Sequence, residues 1–141
     1  MAHAHDLLTA RSWTGADLSD VVDRVLKTFA PSQVEASGAA VDLPPGHALA
    51  IAMSLHELAT NAIKYGALSS PEGRIDVRWK VRDRFLHLNW EERGGPTVRA
   101  PTRKGFGSRL LERTVRGLDG KAHLSFEASG LRCRVTVRLQ S

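Results

Sequence analysis

Two adjoining runs of the sequence alternate between apolar and polar residues, and this alternation constrains the fold more than any other feature. In "RIDVRWKV" and "FLHLNW" every second residue is apolar, which is the period of a β-strand with one buried face. Only Arg82-Asp83-Arg84 separate the runs, so we predict an antiparallel hairpin. The residues predicted to point inward are Ile75, Val77, Trp79, Val81, Leu86, Leu88 and Trp90.

The last part of the chain repeats this pattern. "KAHLSFEASGLRCRVTVRL" predicts a second hairpin that turns near Ser129-Gly130, with Cys133 on the buried face of its last strand. "QVEASGAAVDLPP" predicts two short strands around Ser37-Gly38. We therefore expect a sheet with one covered face and one solvated face.

Segments with helical periodicity predict the helices that would cover one face of the sheet. We predict a short helix over 4–11, a helix over 17–29 capped by Asp17 or Thr14, a long apolar helix over 46–66, and a helix in "SRLLERTVRGL". The element order predicts an α+β fold: a two-layer α/β sandwich whose mixed, mostly antiparallel sheet is covered on one face by helices.

Composition limits the class of protein. The 141 residues, 42% of them hydrophobic, suit one domain with one core, and no apolar run approaches the length of a membrane span. The N-terminus lacks the pattern of a secretory signal. Cys133 is the single cysteine, so no intramolecular disulfide can form, and we expect a cytoplasmic protein.

The net charge of +5 raises nucleic acid as a partner, but its distribution argues against that class. The basic residues near 78–82 and 132–138 alternate with apolar residues, as on the solvated side of two strands. No aromatic residues are interleaved with them as single-strand binding requires. We expect no nucleic-acid partner.

A polar stripe interrupts the long helix. In "HELATNAIKYGA", Glu57, Asn61 and Lys64 have the spacing i, i+4, i+7 and share one helix face. On spacing alone, a solvated face remains open as the explanation. The alternative is a ligand-facing stripe, because carboxylate and carboxamide oxygens suit Mg²⁺ and a lysine suits phosphate.

Two glycine-containing segments follow. "WEERGGP" places Glu92 before two glycines, and "GFGSRLL" places glycines at a helix start, where free backbone N–H groups attract anions. Taken singly, each can be an ordinary turn. The second segment is neither a P-loop nor a full dinucleotide fingerprint.

Together and in this order, the three segments resemble the ATP-binding catalytic domain of sensor histidine kinases in the GHKL ATPase superfamily. The sequence resembles most closely the HWE subfamily, through His56 in "HELATNAIKYGA" and Trp90 with Glu92 in "WEERGGP". The resemblance covers roughly 40–141 and reaches back to "AHDLLTARSWTGADLSDVV". It implies a catalytic domain over 16–141, with 1–15 as a remnant of a linker or dimerisation helix.

The resemblance also implies a site for ATP and Mg²⁺. Asn61 would be the metal ligand, Glu57 would act catalytically through metal-bound or reacting water, Lys64 would meet the phosphates, and Tyr65 would pack near the adenine or ribose. Glu92 would accept a hydrogen bond from the adenine amine.

The remaining implied residues lie around the phosphates and the ring. Gly94 would let the ring approach. Pro96–Lys104 would form the ATP lid, with Arg99, Arg103 or Lys104 reaching the γ-phosphate. The set flanking the phosphates would be Gly105, Phe106, Gly107 and Ser108. We expect His56 and Trp90 to be structural.

The family also implies partners. A sensor kinase phosphorylates a histidine on a dimerisation domain, which in turn serves a response regulator, yet no H-R-x-K-N-like acceptor motif occurs here. His3 and His5 lack the basic and amide neighbours of an acceptor. We therefore expect a catalytic domain separated from its substrate domain and unable to autophosphorylate alone. A stand-alone GHKL regulator or serine kinase resembling anti-sigma factors is the alternative, and a basic nucleic-acid-binding domain is a third hypothesis.

Overall fold

The structure is a computed structural model that describes residues 16–29, 32–96 and 106–139, and for residues 16 and 106–110 it describes the backbone only. Within these residues, seven strands and three α-helices succeed one another. They are β1 (Ala16–Asp17), α1 (Leu18–Leu26), β2 (Val34–Gly38), β3 (Asp42–Leu43), α2 (Pro45–Tyr65), β4 (Arg74–Arg82), β5 (Phe85–Arg93), α3 (Phe106–Arg116), β6 (Lys121–Glu127) and β7 (Gly130–Arg138). A 3-10 turn, Ala67–Ser69, follows α2.

Five strands form the main sheet, in the order β2-β4-β5-β7-β6. β2 runs parallel to β4, and the other neighbours are antiparallel. Both predicted hairpins are confirmed. The first turns at Asp83-Arg84, whose φ angles of 52° and 69° are those of a two-residue turn that matches the twist of the strands.

The two predicted short strands exist, but Ser37 and Gly38 are the last residues of β2 and do not separate the strands, which belong to different sheets. β2 joins the main sheet beside β4, whereas β3 pairs with β1 in a separate two-stranded sheet. Parallel neighbours need a long crossover, and α2 provides it between β2 and β4.

The helix boundaries follow local signals. Asp17 caps α1, because its carboxylate accepts a hydrogen bond of 3.1 Å from the backbone N–H of Ser19. α1 ends at Leu26, three residues earlier than predicted, and Phe29 packs against the core from the following turn. The bounds of α2 lie within one residue of the prediction. None of the described helices has the length and apolar character needed to cross a membrane.

The core lies between the helices and one face of the main sheet. The inward-facing residues predicted for the first hairpin are buried, except Val81, which is 44% exposed near the turn. Trp90 is buried in the middle of the sheet, with Val77 opposite it on β4 and Cys133 opposite it on β7. The α+β sandwich with one covered sheet face is thus confirmed.

The other sheet face carries charged residues that form ion pairs across strands. Arg93 bonds Asp76 at 2.6 Å, and Arg132 bonds Glu91 at 2.8 Å. Asp76 is 9% exposed, so this face is not uniformly solvated as the alternation predicts. The long side chain of Arg93 covers the carboxylate while its own charge remains in water.

Candidate functional site

The polar stripe of α2 is the first part of the site. Glu57 and Asn61 are half-buried and Lys64 is exposed, one helical turn after another. The rest of α2 packs into the core through alanine, leucine and isoleucine side chains. Among the described residues, none forms a hydrogen bond or ion pair with the side chains of these three. Within the described parts of the chain, the stripe therefore presents two oxygen-bearing side chains and a cation along one helix face.

The C-terminal end of α2 also presents apolar surface. Tyr65 is 65% exposed and Ile63 is 44% exposed, whereas Leu55 and Leu58 of the same helix are buried. Tyr65 follows Lys64 directly in the chain, at the end of α2 where the nucleotide is predicted to bind. Residues 63 and 65 lie on different sides of the helix, so a planar ligand beside Tyr65 would cover that ring alone.

Glu92 is the second part of the site, and it lies at the same end of α2. Its side chain extends from the end of β5 into a buried position with 3% exposure. The backbone N–H of Ala67 donates to Oε1 at 2.9 Å, and the indole N–H of Trp90 donates to Oε2 at 2.9 Å. The two segments identified in the sequence, "HELATNAIKYGA" and "WEERGGP", thus meet through the carboxylate of Glu92.

The electrostatics of Glu92 follow from this burial. Desolvation raises the pKa of its carboxyl above the ordinary value, and the hydrogen bonds from Ala67 and Trp90 partly oppose that rise. The neighbouring thiol of Cys133 has its pKa raised to about 12 by burial and by the charge of Glu92. Cys133 is therefore a neutral core residue, as predicted, whereas Glu92 is a buried carboxyl whose pKa is raised by desolvation.

Two glycines near Glu92 allow close backbone contacts, Gly66 with the Glu92 carboxylate and Gly94 with the backbone of Glu72. A Cβ on Gly66 would collide with Oε1 of Glu92, so the end of α2 can lie against the carboxylate only without a side chain. Gly94 has φ +76°, and a Cβ there would lie 2.6 Å from the carbonyl oxygen of Glu72. This backbone contact explains Gly94 independently of the ring approach predicted for it.

The third part of the site is described only in its backbone. Phe106, Gly107 and Ser108 form the first turn of α3, which therefore begins two residues earlier than predicted, and α3 packs against α2. Gly105 and most of the predicted lid, including Arg99, Arg103 and Lys104, lie outside the described residues. The roles predicted for these residues stay predictions.

His56 is a packing residue of α2. Its ring meets the ring of Phe29 edge to face, with 5.3 Å between centroids and 71° between planes. The contact fixes the turn after α1 against α2, which agrees with the structural role expected for His56.

Sequence reasoning missed the donors to Glu92. Residues 90 and 92 of one strand share a face, so strand alternation alone could have placed Trp90 beside Glu92. No such signal existed for the N–H of Ala67, because residues 67 and 92 meet only through the fold.

The donor set suits a weakly protein-ligated Mg²⁺. No group of three histidine, cysteine or acidic residues that could hold a metal occurs in the described parts of the chain. Asn61 and Glu57 offer two oxygen ligands one helical turn apart, and Mg²⁺ commonly takes one or two protein ligands and completes its shell with water and phosphate. The residues present therefore fit this ion when a nucleotide accompanies it.

Comparison with known proteins relates the chain to histidine kinases. Residues 1–40 match the model of the HWE histidine kinase family. The blue-light-activated histidine kinase of Brucella anthropi is 37% identical over 139 residues, which are 93% of this chain. The chain spans 28% of the length of that relative.

Solved structures share the fold. The histidine kinase domain of the blue-light activated histidine kinase EL346 from Erythrobacter litoralis superposes with a TM-score of 0.72 and 18% identity, over 96% of this chain and 71% of that one. The ATP binding domain of PrrB from Mycobacterium tuberculosis superposes with a TM-score of 0.63 and 16% identity, over 91% and 98%. The chain is thus homologous to one part of these histidine kinases and has the fold of a histidine kinase catalytic domain.

Proposed function

We propose that this chain is the catalytic domain of a two-component sensor histidine kinase, which binds ATP with Mg²⁺ and donates the γ-phosphate to a histidine on a dimerisation domain. One observation carries the proposal: the buried carboxylate of Glu92 lies at the end of α2 that also presents Asn61 and Lys64. The acid proposed to bind the base and the α2 stripe proposed to face the phosphates therefore lie close together. Homology to HWE kinases supports the same assignment.

The roles of the residues follow from phosphoryl-transfer chemistry, which needs positioning and charge neutralisation more than covalent participation of the protein. Mg²⁺ would offset phosphate charge when bound. Asn61 would hold it through its carboxamide oxygen, Lys64 would stabilise the phosphates as a point charge, and Glu57 would orient a water. Glu92 would fix the base, and Tyr65 would cover the adenine or ribose.

The wider assignment is part of the proposal. Residues 16–141 would form the catalytic domain and residues 1–15 the end of a linker or dimerisation helix. The phosphorylated histidine would pass its phosphate to a response regulator in the cytoplasm. The backbone of the first turn of α3, over Phe106, Gly107 and Ser108, would lie by the phosphates.

Titration calorimetry with a non-hydrolysable ATP analogue tests the site. Asn61→Ala removes the proposed metal ligand, so we expect the affinity in Mg²⁺ to fall at least about tenfold, equivalent to about 1.4 kcal/mol. The difference between Mg²⁺ and chelator should also shrink. Asn89→Ala is the matched control, because Asn89 is an exposed asparagine on the opposite sheet face.

Two results would contradict the proposal, and they differ in what they reject. Equal affinities for the parent and the Asn61→Ala chain, both with the same dependence on Mg²⁺, would show that Asn61 is not the metal ligand. Failure of the parent to bind the analogue at all would reject nucleotide binding itself.

A further inference from the structure

We propose that Trp90 is a positioning residue, whose indole N–H holds the carboxylate of Glu92 in the orientation that selects a purine with a 6-amino group. The inference rests on the proposed function, because Glu92 meets a base only if the chain binds a nucleotide. Trp90 itself lies in the core and acts through Glu92. It carries a binding role in addition to the packing role expected from the sequence.

The indole N–H is a fixed donor. Trp90 is 1% exposed and is held between Val77 on β4 and Cys133 on β7 in the register of the sheet. A side chain so enclosed has one orientation, and its N–H points at Oε2 of Glu92 at 2.9 Å. The position of Oε2 is therefore set by the core.

The second oxygen is fixed from a different element. The N–H of Ala67, just after α2, donates to Oε1 at 2.9 Å, and the absence of a side chain on Gly66 leaves room for that oxygen. Two donors on two oxygens define the plane of the carboxylate. A glutamate free in water has three rotatable bonds, so this restraint removes entropy before any ligand arrives.

The carboxylate keeps acceptor capacity after both bonds are made. Two oxygens offer about four lone-pair sites, of which Trp90 and Ala67 use two. A 6-amino group can donate to a remaining site. A 6-oxo group would place its lone pairs against those of the carboxylate, and a 6-H group would leave the buried acceptor without a donor. Both purines are disfavoured because Trp90 and Ala67 prevent the carboxylate from rotating away from the base.

Trp90→Phe tests the inference because it keeps an aromatic ring in the core and deletes the N–H. We would measure affinities for ATP and for purine riboside triphosphate, which lacks the 6-amino group, and take their ratio. We expect Trp90→Phe to lower the ratio at least about fivefold, the cost of about one net hydrogen bond. GTP gives a second ratio that should fall in the same direction.

Trp79→Phe is the matched control. Trp79 is also buried, with 5% exposure, and its indole N–H donates to the carbonyl oxygen of Ala39 at 2.8 Å. It lies on β4 beyond Ile75, the residue that pairs with Glu92, and makes no bond to that carboxylate. Both variants remove one indole N–H from the core, so both should lose thermal stability. Only Trp90→Phe should change the base ratio.

A double-variant cycle separates positioning from packing. If Trp90 acts through the carboxylate, Trp90→Phe should leave the ratio unchanged when Glu92→Ala, which removes both acceptor oxygens, is already present. If Trp90→Phe does not fold, Gly66→Ala displaces Oε1 from the other side without altering the indole, and it should lower the same ratio. Gly46→Ala is its control, because a Cβ at Gly46 meets nothing within 4 Å.

The outcomes are distinguishable. A parent chain that binds no ATP overturns the proposed function. A parent that prefers ATP, together with Trp90→Phe and Gly66→Ala variants that keep the full preference, overturns the role of Trp90 and leaves the proposed function standing.

Discussion

At the scale of single residues, Glu92 has an unusual balance of interactions. Burial of a carboxylate opposes ionisation, whereas two N–H donors favour the ionised form, and burial is the larger effect on the pKa. The hydrogen bonds from Trp90 and Ala67 hold the Glu92 side chain in place, and these bonds are strongest when the carboxyl is ionised. Such a group is suited to recognition, because its orientation is fixed in advance of the ligand.

The raised pKa of Glu92 predicts a pH dependence of stability. Between its unfolded pKa and its higher folded pKa, the folded state binds more protons, so the free energy of unfolding falls as the pH rises. The stabilising contribution is complete below the unfolded pKa and is lost through the folded pKa. We expect the parent to lose stability relative to Glu92→Gln on going from about pH 4.5 to pH 7, by at most about 1.4 kcal/mol per pH unit.

Urea unfolding of both chains across this range measures the difference directly. Other carboxylates contribute equally to both curves, and the thiol of Cys133 stays neutral because its pKa is raised to about 12. A difference that is constant with pH, or that grows in favour of the parent, would contradict the raised pKa.

The sequence predicted those parts of the candidate site whose residues are close together in the chain. The i, i+4, i+7 positions placed Glu57, Asn61 and Lys64 on one helix face, and the structure confirms that geometry. The N–H of Ala67 was beyond reach, because its bond to Glu92 joins residues 25 apart. Residue roles toward ATP rest on the proposal and its titrations.

At the scale of elements, the start of α1 was predictable because the Asp17 cap is a local signal, whereas α3 begins two residues before its predicted start and the strand partners were not predictable. β2 and β3 were both expected near Ser37-Gly38, yet short strands carry no signal for their neighbour. The crossover through α2 brings β2 beside β4. Packing of α2, and not a signal within β2 itself, therefore determines that β2 joins the main sheet.

The cap of α1 gives a prediction at this scale. Asp17→Ala removes the acceptor for the N–H of Ser19, so the free energy of unfolding should fall by about 1 kcal/mol, within the usual range for caps. Asp23→Ala is the control, because Asp23 is an exposed aspartate of the same helix without a capping role for its side chain. Chemical denaturation would measure both. Equal losses from the two variants would mean that the cap contributes nothing specific.

At the scale of the whole molecule, one face of the main sheet is apolar and covered by helices, and the other face carries charged residues. Strand alternation predicted which face the helices cover, since a one-residue shift would expose the whole core. The charged face is stabilised by cross-strand ion pairs such as Arg93 with Asp76. Much of the positive charge that gives the chain its net +5 is therefore spread over a sheet surface, and the polar stripe of α2 lies on a different part of the molecule.

This separation predicts which ligand stabilises the whole fold. A ligand that binds only the folded state raises the free energy of unfolding by RT ln(1 + [L]/Kd), which is about 2.7 kcal/mol at a hundredfold excess over Kd. We expect ATP with Mg²⁺ to raise the melting temperature of the parent, and to raise it less for Asn61→Ala than for Asn89→Ala.

Duplex DNA of random sequence should raise the melting temperature at low salt but not at physiological salt, because a diffuse cationic surface binds DNA through counterion release. Stabilisation by DNA that persists at physiological salt and is indifferent to ATP would instead support the nucleic-acid hypothesis, since the charged sheet face would then be the functional surface.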